Sequence, residues 1–190
     1  MLQIRFHGRG GQGVVTAAEM LSVAAFLEGK HAAAFPSFGS ERMGAPVMSF
    51  CRIDDKEIRL REPVLDPDVL IIQDPTLFRV INVFEGLKPD GYVLINSGKS
   101  IEELGLTKAV SQLPKGHICL VPATEIALQY VGRPLPNAAM LGSFAALTGT
   151  VKFDSVAAAI RGAFAGKIGE NNVAAAQASF DAVNGTEVAA

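Results

Sequence analysis

The residues best able to do chemistry come first in the chain. Gly8-Arg9-Gly10-Gly11-Gln12-Gly13 satisfies the spacing GxGxxG, between a short apolar-leaning segment and an Ala-rich stretch free of Pro and Gly. Glycines in such a turn admit positive φ and let a ligand approach the backbone. The amides and positive dipole end of a helix that follows then favour a phosphate or carboxylate. Arg9 adds a cation beside the same anion. A dinucleotide site also wants an acidic residue roughly 20 residues further on, at the end of the second strand. That strand ends Ala33-Ala34-Phe35-Pro36, and Glu28 precedes it, so NAD or FAD is poorly served. No Lys-Ser/Thr follows the loop, which excludes a P-loop. A tight turn without a ligand stays open as an alternative.

A second loop is harder to explain as connection alone. Phe35-Pro36-Ser37-Phe38-Gly39-Ser40-Glu41-Arg42-Met43-Gly44-Ala45-Pro46 mixes two Phe, a Met and two Gly with an adjacent Glu-Arg pair. So apolar a loop is expected to press against another chain, a ligand or its own domain. Glu41 is placed to orient Arg42. His7 flanks the glycine loop and reads as a hydrogen-bonded structural histidine, while His31 and His117 open predicted strands and carry no signal. Arg59 and Arg61 alternate with apolar neighbours, which suits interface salt bridges or solvation, and Lys99 is an anion-contact candidate. Ser40 and Thr16 have no visible base partner, so nucleophilic catalysis is not supported. Cys51 and Cys119 form no CxxC pair and read as buried thiols, giving neither a zinc nor an iron–sulfur motif.

The elements that must position these residues follow from periodicity and turn chemistry. Leu2–Phe6 reads as a strand running directly into the loop His7–Gly13, and Val14–Glu28 as a helix. His31–Phe35 is a second strand. Val47–Ile53 and Glu57–Leu60 flank Asp54-Asp55 as a predicted hairpin. Val69–Gln73 is a buried strand, ended by Asp74 as N-cap and Pro75 at the first helical position. Tyr92–Asn96 and Ile118–Val121 are further strands, the latter followed by a helix from Thr124 to Tyr130. Helical spacing returns in Asn137–Leu147, Asp154–Phe164 and Asn171–Val183. The fold expected is α/β and Rossmann-like: a mainly parallel, mixed sheet with helices on both faces and a helical C-terminal third. Residues 1–184 form one domain and 185–190 a frayed tail.

Composition narrows the function classes. The chain has 190 residues, 49 % hydrophobic and 19 % charged, with 17 basic against 19 acidic side chains. That balance leaves no electrostatic footprint for nucleic acid. No run reaches the length of a membrane span, and the N-terminus lacks a signal-peptide pattern, so a cytoplasmic protein is expected.

His7–Gly13 and Phe35–Val47 together resemble the gamma subunits of pyruvate and related 2-oxoacid:acceptor oxidoreductases. The similarity continues through Ile58-Arg59-Leu60-Arg61, Gln73-Asp74-Pro75-Thr76-Leu77 and Pro136-Asn137-Ala138-Ala139-Met140-Leu141-Gly142, and it covers nearly the whole chain. It implies oxidative decarboxylation of a 2-oxoacid on thiamine diphosphate, electron transfer through iron–sulfur clusters to ferredoxin or another acceptor, and acyl transfer to coenzyme A. This sequence lacks a GDG thiamine-diphosphate motif and cluster cysteines, so the resemblance places those cofactors in partner subunits of alpha, beta and delta type. What it leaves for this chain is contact with coenzyme A. The residues placed there are Gly8, Arg9, Gly10, Gly11, Gln12, Gly13, Arg42 and Asn137. Phosphates suit the loop and the arginines, and the Asn137 amide suits the pantetheine amides or the adenine edge. Asn137 serves equally as a helix N-cap. The competing readings are a free-standing NAD- or FAD-binding oxidoreductase and a purely structural assembly subunit.

Overall fold

In the computed structural model, residues 1–37 and 43–185 are described. Six strands form one sheet: β1 (Leu2–Arg9), β2 (His31–Pro36), β3 (Pro46–Asp54), β4 (Val69–Ile72), β5 (Tyr92–Asn96) and β6 (Ile118–Val121). Their order is β2-β3-β1-β4-β5-β6. β1, β4, β5 and β6 are parallel, whereas β3 lies antiparallel between β1 and β2. The sheet is therefore mixed, as expected, but the antiparallel pairing differs from the predicted hairpin. Glu57–Leu60 forms no strand. β1 and β2 already hydrogen-bond the two edges of β3, so a hairpin return across Asp54-Asp55 has no edge left to pair with.

β1 also runs further than periodicity suggested. Gly8 and Arg9 pair with Val47 and Pro46, so the first two residues of the glycine motif belong to the strand and the turn itself starts at Gly10.

Alternation along the strands defines two faces. One carries Ile4, Phe6, Cys51, Ile53, Val69, Ile71 and Leu94, packed against α1 (Val14–Leu27) and the later helices. The opposite face carries Leu70, Ile72, Val93 and Ile95. It is covered by a 3-10 turn (Pro75–Arg79) and the short α2 (Thr107–Val110), through Leu77, Leu106 and Val110. Toward β2 and β3 this second face is closed by Phe35, Phe50 and Val64, with the two rings 5.4 Å apart.

The C-terminal third is helical: α3 (Ala123–Val131), α4 (Asn137–Thr148), α5 (Phe153–Ala163) and α6 (Gly166–Gly185). α4 is buried continuously from Asn137 to Ala145. A helix buried all round has no polar face, and accordingly only Asn137 and Ser143 interrupt the apolar and glycine residues from Asn137 to Ala145. α6 reaches Gly185, and the rest of the expected tail lies outside the described residues. No described helix is long and apolar enough to cross a membrane.

Candidate functional site

The carboxyl ends of the parallel strands gather the candidate residues. In open α/β sheets this is where ligands bind, at the point where successive connections leave in opposite directions. Here that point lies between β1, whose connection leads to β2, and β4, whose connection leads to β5.

The turn after β1 is built without side-chain caps. Gly11 and Gly13 adopt φ of +93° and +69°, and Gly13 is the N-cap of α1. No side chain caps this helix, so the first-turn amides face a cavity of about 250 Å³ lined by Arg9, Gly10, Gly11, Gly13, Thr16 and Val47. An uncapped N-terminus of this kind favours an anion. Its glycines are also packing devices. A Cβ on Gly13 would lie 2.5 Å from Asn137 Nδ2, one on Gly11 2.7 Å from the Met43 methyl, and one on Gly8 2.5 Å from Val14 Cγ2.

Arg9 and Gln12 form a strut across the site. Arg9 donates from Nε (3.1 Å) and Nη2 (2.8 Å) to Thr76 Oγ1 and from Nη1 to the Gly44 carbonyl at 2.9 Å, and Nε stands 3.2 Å from Asp74 Oδ2. Gln12 accepts from the Arg9 amide at 2.8 Å and donates to Asp74 Oδ2 at 2.8 Å. Asp74 in turn caps the 3-10 turn, accepting from Thr76 N at 2.9 Å. Burial pushes the Asp74 carboxyl up, but hydrogen bonds from Thr76 and Gln12 and the Arg9 charge outweigh it and hold it below the usual carboxylate range. The glycine turn, the β4 terminus and the end of the second loop are thereby tied together.

Asn137 opens α4 and is 4 % exposed, against Gly13. Its Oδ1 finds no hydrogen-bond partner among the described residues. The structure thus brings Gly8 to Gly13 and Asn137 to one place. Arg42 and Glu41, with Phe38 and Ser40, lie outside the described residues. At the far end of that loop, Gly10 bridges Met43, its amide donates to the Ala45 carbonyl at 2.9 Å, and the Met43 side chain stays 86 % exposed.

His7 points to the other face of the sheet. Its Nε2 accepts from Arg5 Nε at 3.0 Å, and burial, then the Arg5 charge, lower its pKa to about 3. It is a neutral structural imidazole. Arg5 itself clamps the carbonyls of Val64, Leu65, Val83 and Glu85. Lys99 lies apart, in a cleft of about 610 Å³ beyond β4 and β5, with Thr76, Arg79, Asn96 and Ser97. Cys51 is buried and Cys119 partly so. Burial raises both thiols, Cys119 to about 11.

Sequence reasoning gave no role to Gln73 or Thr76, although both stood in the motif beside Asp74. Polar residues beside a strand terminus were the only local signal, and which of them turn inward is set by packing.

The sequence pattern of the family described as pyruvate ferredoxin/flavodoxin oxidoreductase matches residues 3–182. A relative from Pyrococcus abyssi, named pyruvate/ketoisovalerate oxidoreductases common subunit gamma, is 50 % identical over 95 % of this chain and 96 % of its own length. Pyruvate synthase subunit PorC of Methanocaldococcus jannaschii is likewise 50 % identical, over 95 % of this chain and 96 % of its own. The crystal structure of pyruvate oxidoreductase subunit PORC from Thermotoga maritima superposes with a TM-score of 0.78 at 35 % identity, covering 95 % of each chain.

Proposed function

The chain belongs to the pyruvate ferredoxin/flavodoxin oxidoreductase family, and from that premise we propose that it is the coenzyme-A-contacting gamma subunit of a multi-subunit 2-oxoacid oxidoreductase. The assembled enzyme would decarboxylate pyruvate or a related 2-oxoacid oxidatively to acyl-CoA and CO2. Full-length similarity to proteins named as gamma and PorC subunits supports the subunit reading. Thiamine diphosphate and iron–sulfur clusters then belong to alpha-, beta- and delta-type partners, and ferredoxin or another acceptor is reached through the complex.

The observation that carries the coenzyme A part is the uncapped α1 N-terminus opening into a cavity, with Asn137, whose Oδ1 lacks a partner among the described residues, packed against Gly13. Coenzyme A supplies the thiol that takes the acyl group. Its phosphates suit the glycine turn, the first-turn amides of α1 and the charge of Arg42, the Gly10 and Gln12 amides being already committed to the Ala45 and Arg9 carbonyls. Arg9 lines the same cavity, but Asp74 balances its charge, which leaves Arg42 as the stronger anion partner. Asn137 meets the pantetheine amides or the adenine edge. Pro36–Pro46 would press against a partner chain or the ligand, a reading supported by the exposed Met43 side chain near its end.

Arg42→Ala and Asn137→Ala are expected to raise the Michaelis constant for coenzyme A in the assembled enzyme about ten- to a hundredfold, the value of one hydrogen bond to a charged or buried group. Coenzyme-A-independent reduction of the partner-held iron–sulfur clusters by the 2-oxoacid should persist, since an interaction made equally in ground and transition states affects binding alone. A purely structural subunit is the second reading, favoured by the Asn137 amide that fills the space over Gly13. Stable variant complexes with unchanged coenzyme A kinetics would decide for it.

A further inference from the structure

The sheet has a second place where neighbouring connections part. The chain after β5 stays on the α2 side, where Ile101 and Leu104 pack into the cluster that holds Leu106 and Val110. The chain after β6 enters α3 on the α1 side, where Ala123 and Ile126 join the other core. β5 and β6 are parallel neighbours, so their carboxyl ends open a crevice of the kind that receives ligands in open α/β sheets. The cleft of about 610 Å³ lies there, lined by the segments that follow β4, β5 and β6. None of residues 8–13 lines it.

Its floor is cross-linked. Asn96 and Ser97 are 6 % and 9 % exposed. Asn96 Nδ2 donates to the Gln73 carbonyl and to Thr124 Oγ1, each at 2.7 Å, and its Oδ1 accepts from the Thr124 amide at 3.1 Å. One side chain thus locks the ends of β4 and β5 to the start of α3. Ser97 Oγ accepts from the Lys99 amide at 3.0 Å. The Ser97 and Thr124 hydroxyl protons have no acceptor among the described residues, so each residue keeps a donor for a ligand.

Four charged side chains line the cleft: Arg79, Lys99, Glu103 and Glu125. Glu103 is committed to its own turn, accepting from the Ser100 amide at 2.9 Å. The other three make no ion pair or side-chain hydrogen bond among the described residues. Strand order separates their signs. Arg79 follows β4, Lys99 follows β5 and Glu125 follows β6, and with strands about 4.8 Å apart the outer two belong to opposite walls. Two cations against two carboxylates leave the lining neutral, so a simple anion gains little from it, whereas a molecule carrying both charges gains at both ends. We propose that this crevice binds a free α-amino acid with an apolar side chain. The carboxylate meets Arg79, Lys99 and the two hydroxyls, and the ammonium meets Glu125. The side chain lies against Phe78 and Leu104, which line the cleft half-buried. This site is independent of the coenzyme A reading.

The probes are L-leucine, L-methionine and L-phenylalanine, titrated calorimetrically into the full chain. Each is run beside the acid that lacks the amino group and the amine that lacks the carboxylate. At least one amino acid should bind in the millimolar range or tighter, with both of its one-charge analogues about tenfold weaker, the loss of one charge-assisted contact. Arg79→Met and Lys99→Met should each weaken that amino acid severalfold. Glu125→Gln should weaken it too, yet leave the acid without the amino group unchanged. All three side chains are exposed, so the variants should melt with the parent. Should one fail to fold, the amide resonances of Ser97 and Thr124 in the parent chain locate the site instead, and they should shift on titration. No binding by any of the three amino acids overturns the proposal. Equal binding of the acid without the amino group would make the crevice a plain anion site and overturn it as well. So would binding indifferent to all three substitutions, or unshifted Ser97 and Thr124 amides, because the amino acid would then sit elsewhere.

Discussion

His7 borders the glycine turn in sequence, yet β-alternation turns its imidazole to the opposite face, where Arg5 donates to it and burial keeps it neutral. Its pKa falls from an ordinary 6.5 to about 3, so between those values the unfolded chain binds a proton that the folded chain refuses. Folding stability should therefore be complete above pH 6.5 and fall as the pH drops toward 3, at a limiting slope of about 1.4 kcal/mol per pH unit. Thermal melts between pH 7 and 5 test this, because the lowered carboxylates Asp74 and Glu28 act only below their ordinary values of 3.8 and 4.5. His7→Gln should flatten the profile in that window. An unchanged slope would mean that His7 takes up its proton in the folded state. The reading of this residue as structural rather than catalytic was legible in the sequence, but its Arg5 partner was not: strand alternation puts residues 5 and 7 on one face, and only packing decides that this face is buried.

Among the elements, the packing of α4 on α6 is the most exacting. Gly142 faces the α6 backbone so closely that a Cβ would stand 2.0 Å from the Ala176 carbonyl oxygen. Backbone cannot yield as a flexible side chain does, so the helices would have to separate. Gly142→Ala is expected to destabilise the chain by about 1–3 kcal/mol despite the better helix propensity of alanine, measurable by urea unfolding. Neutral or raised stability would show that α6 shifts freely. The next residue of α4, Ser143, is bonded to Ser179 Oγ of α6 at 2.6 Å in the same buried interface. The segment Glu57–Leu60 teaches the converse lesson. Its alternation reads as a strand, but strand formation needs a partner edge, and β1 and β2 occupy both edges of β3. Instead its last carbonyl, that of Leu60, accepts from Arg52 Nη1 at 3.3 Å.

For the whole molecule, the assembly reading carries its own expectation. Backbone amides across residues 36–46 should exchange more slowly in the complete oxidoreductase than in the free chain, because on that reading a partner or ligand would cover the loop. The exposed Met43 side chain sits at its end, beside the glycine turn. Hydrogen–deuterium exchange that is equally fast in both states would place this loop outside every interface. A slow rate already present in the free chain would instead make it a loop buried on its own domain.

Local chemistry determined what the sequence could tell by itself. Glycine spacing between an apolar strand and an Ala-rich helix marked the turn at residues 8–13, Asp74-Pro75 marked the end of β4, and helical periodicity located α4, α5 and α6. These signals reside in neighbouring residues, so they survive without knowledge of the fold. Pairing and burial depend on residues far apart in the chain, and only the tertiary structure decided them. It turned Gly8 and Arg9 into strand by pairing them with Val47 and Pro46. It tied Arg9 to Asp74 and Thr76. It also set the Asn137 amide over Gly13 and the Gln73 amide under Gly8. Whether a polar side chain faces water or a sealed interior is fixed by what packs over it, and for Gln73 that is the turn between β1 and α1.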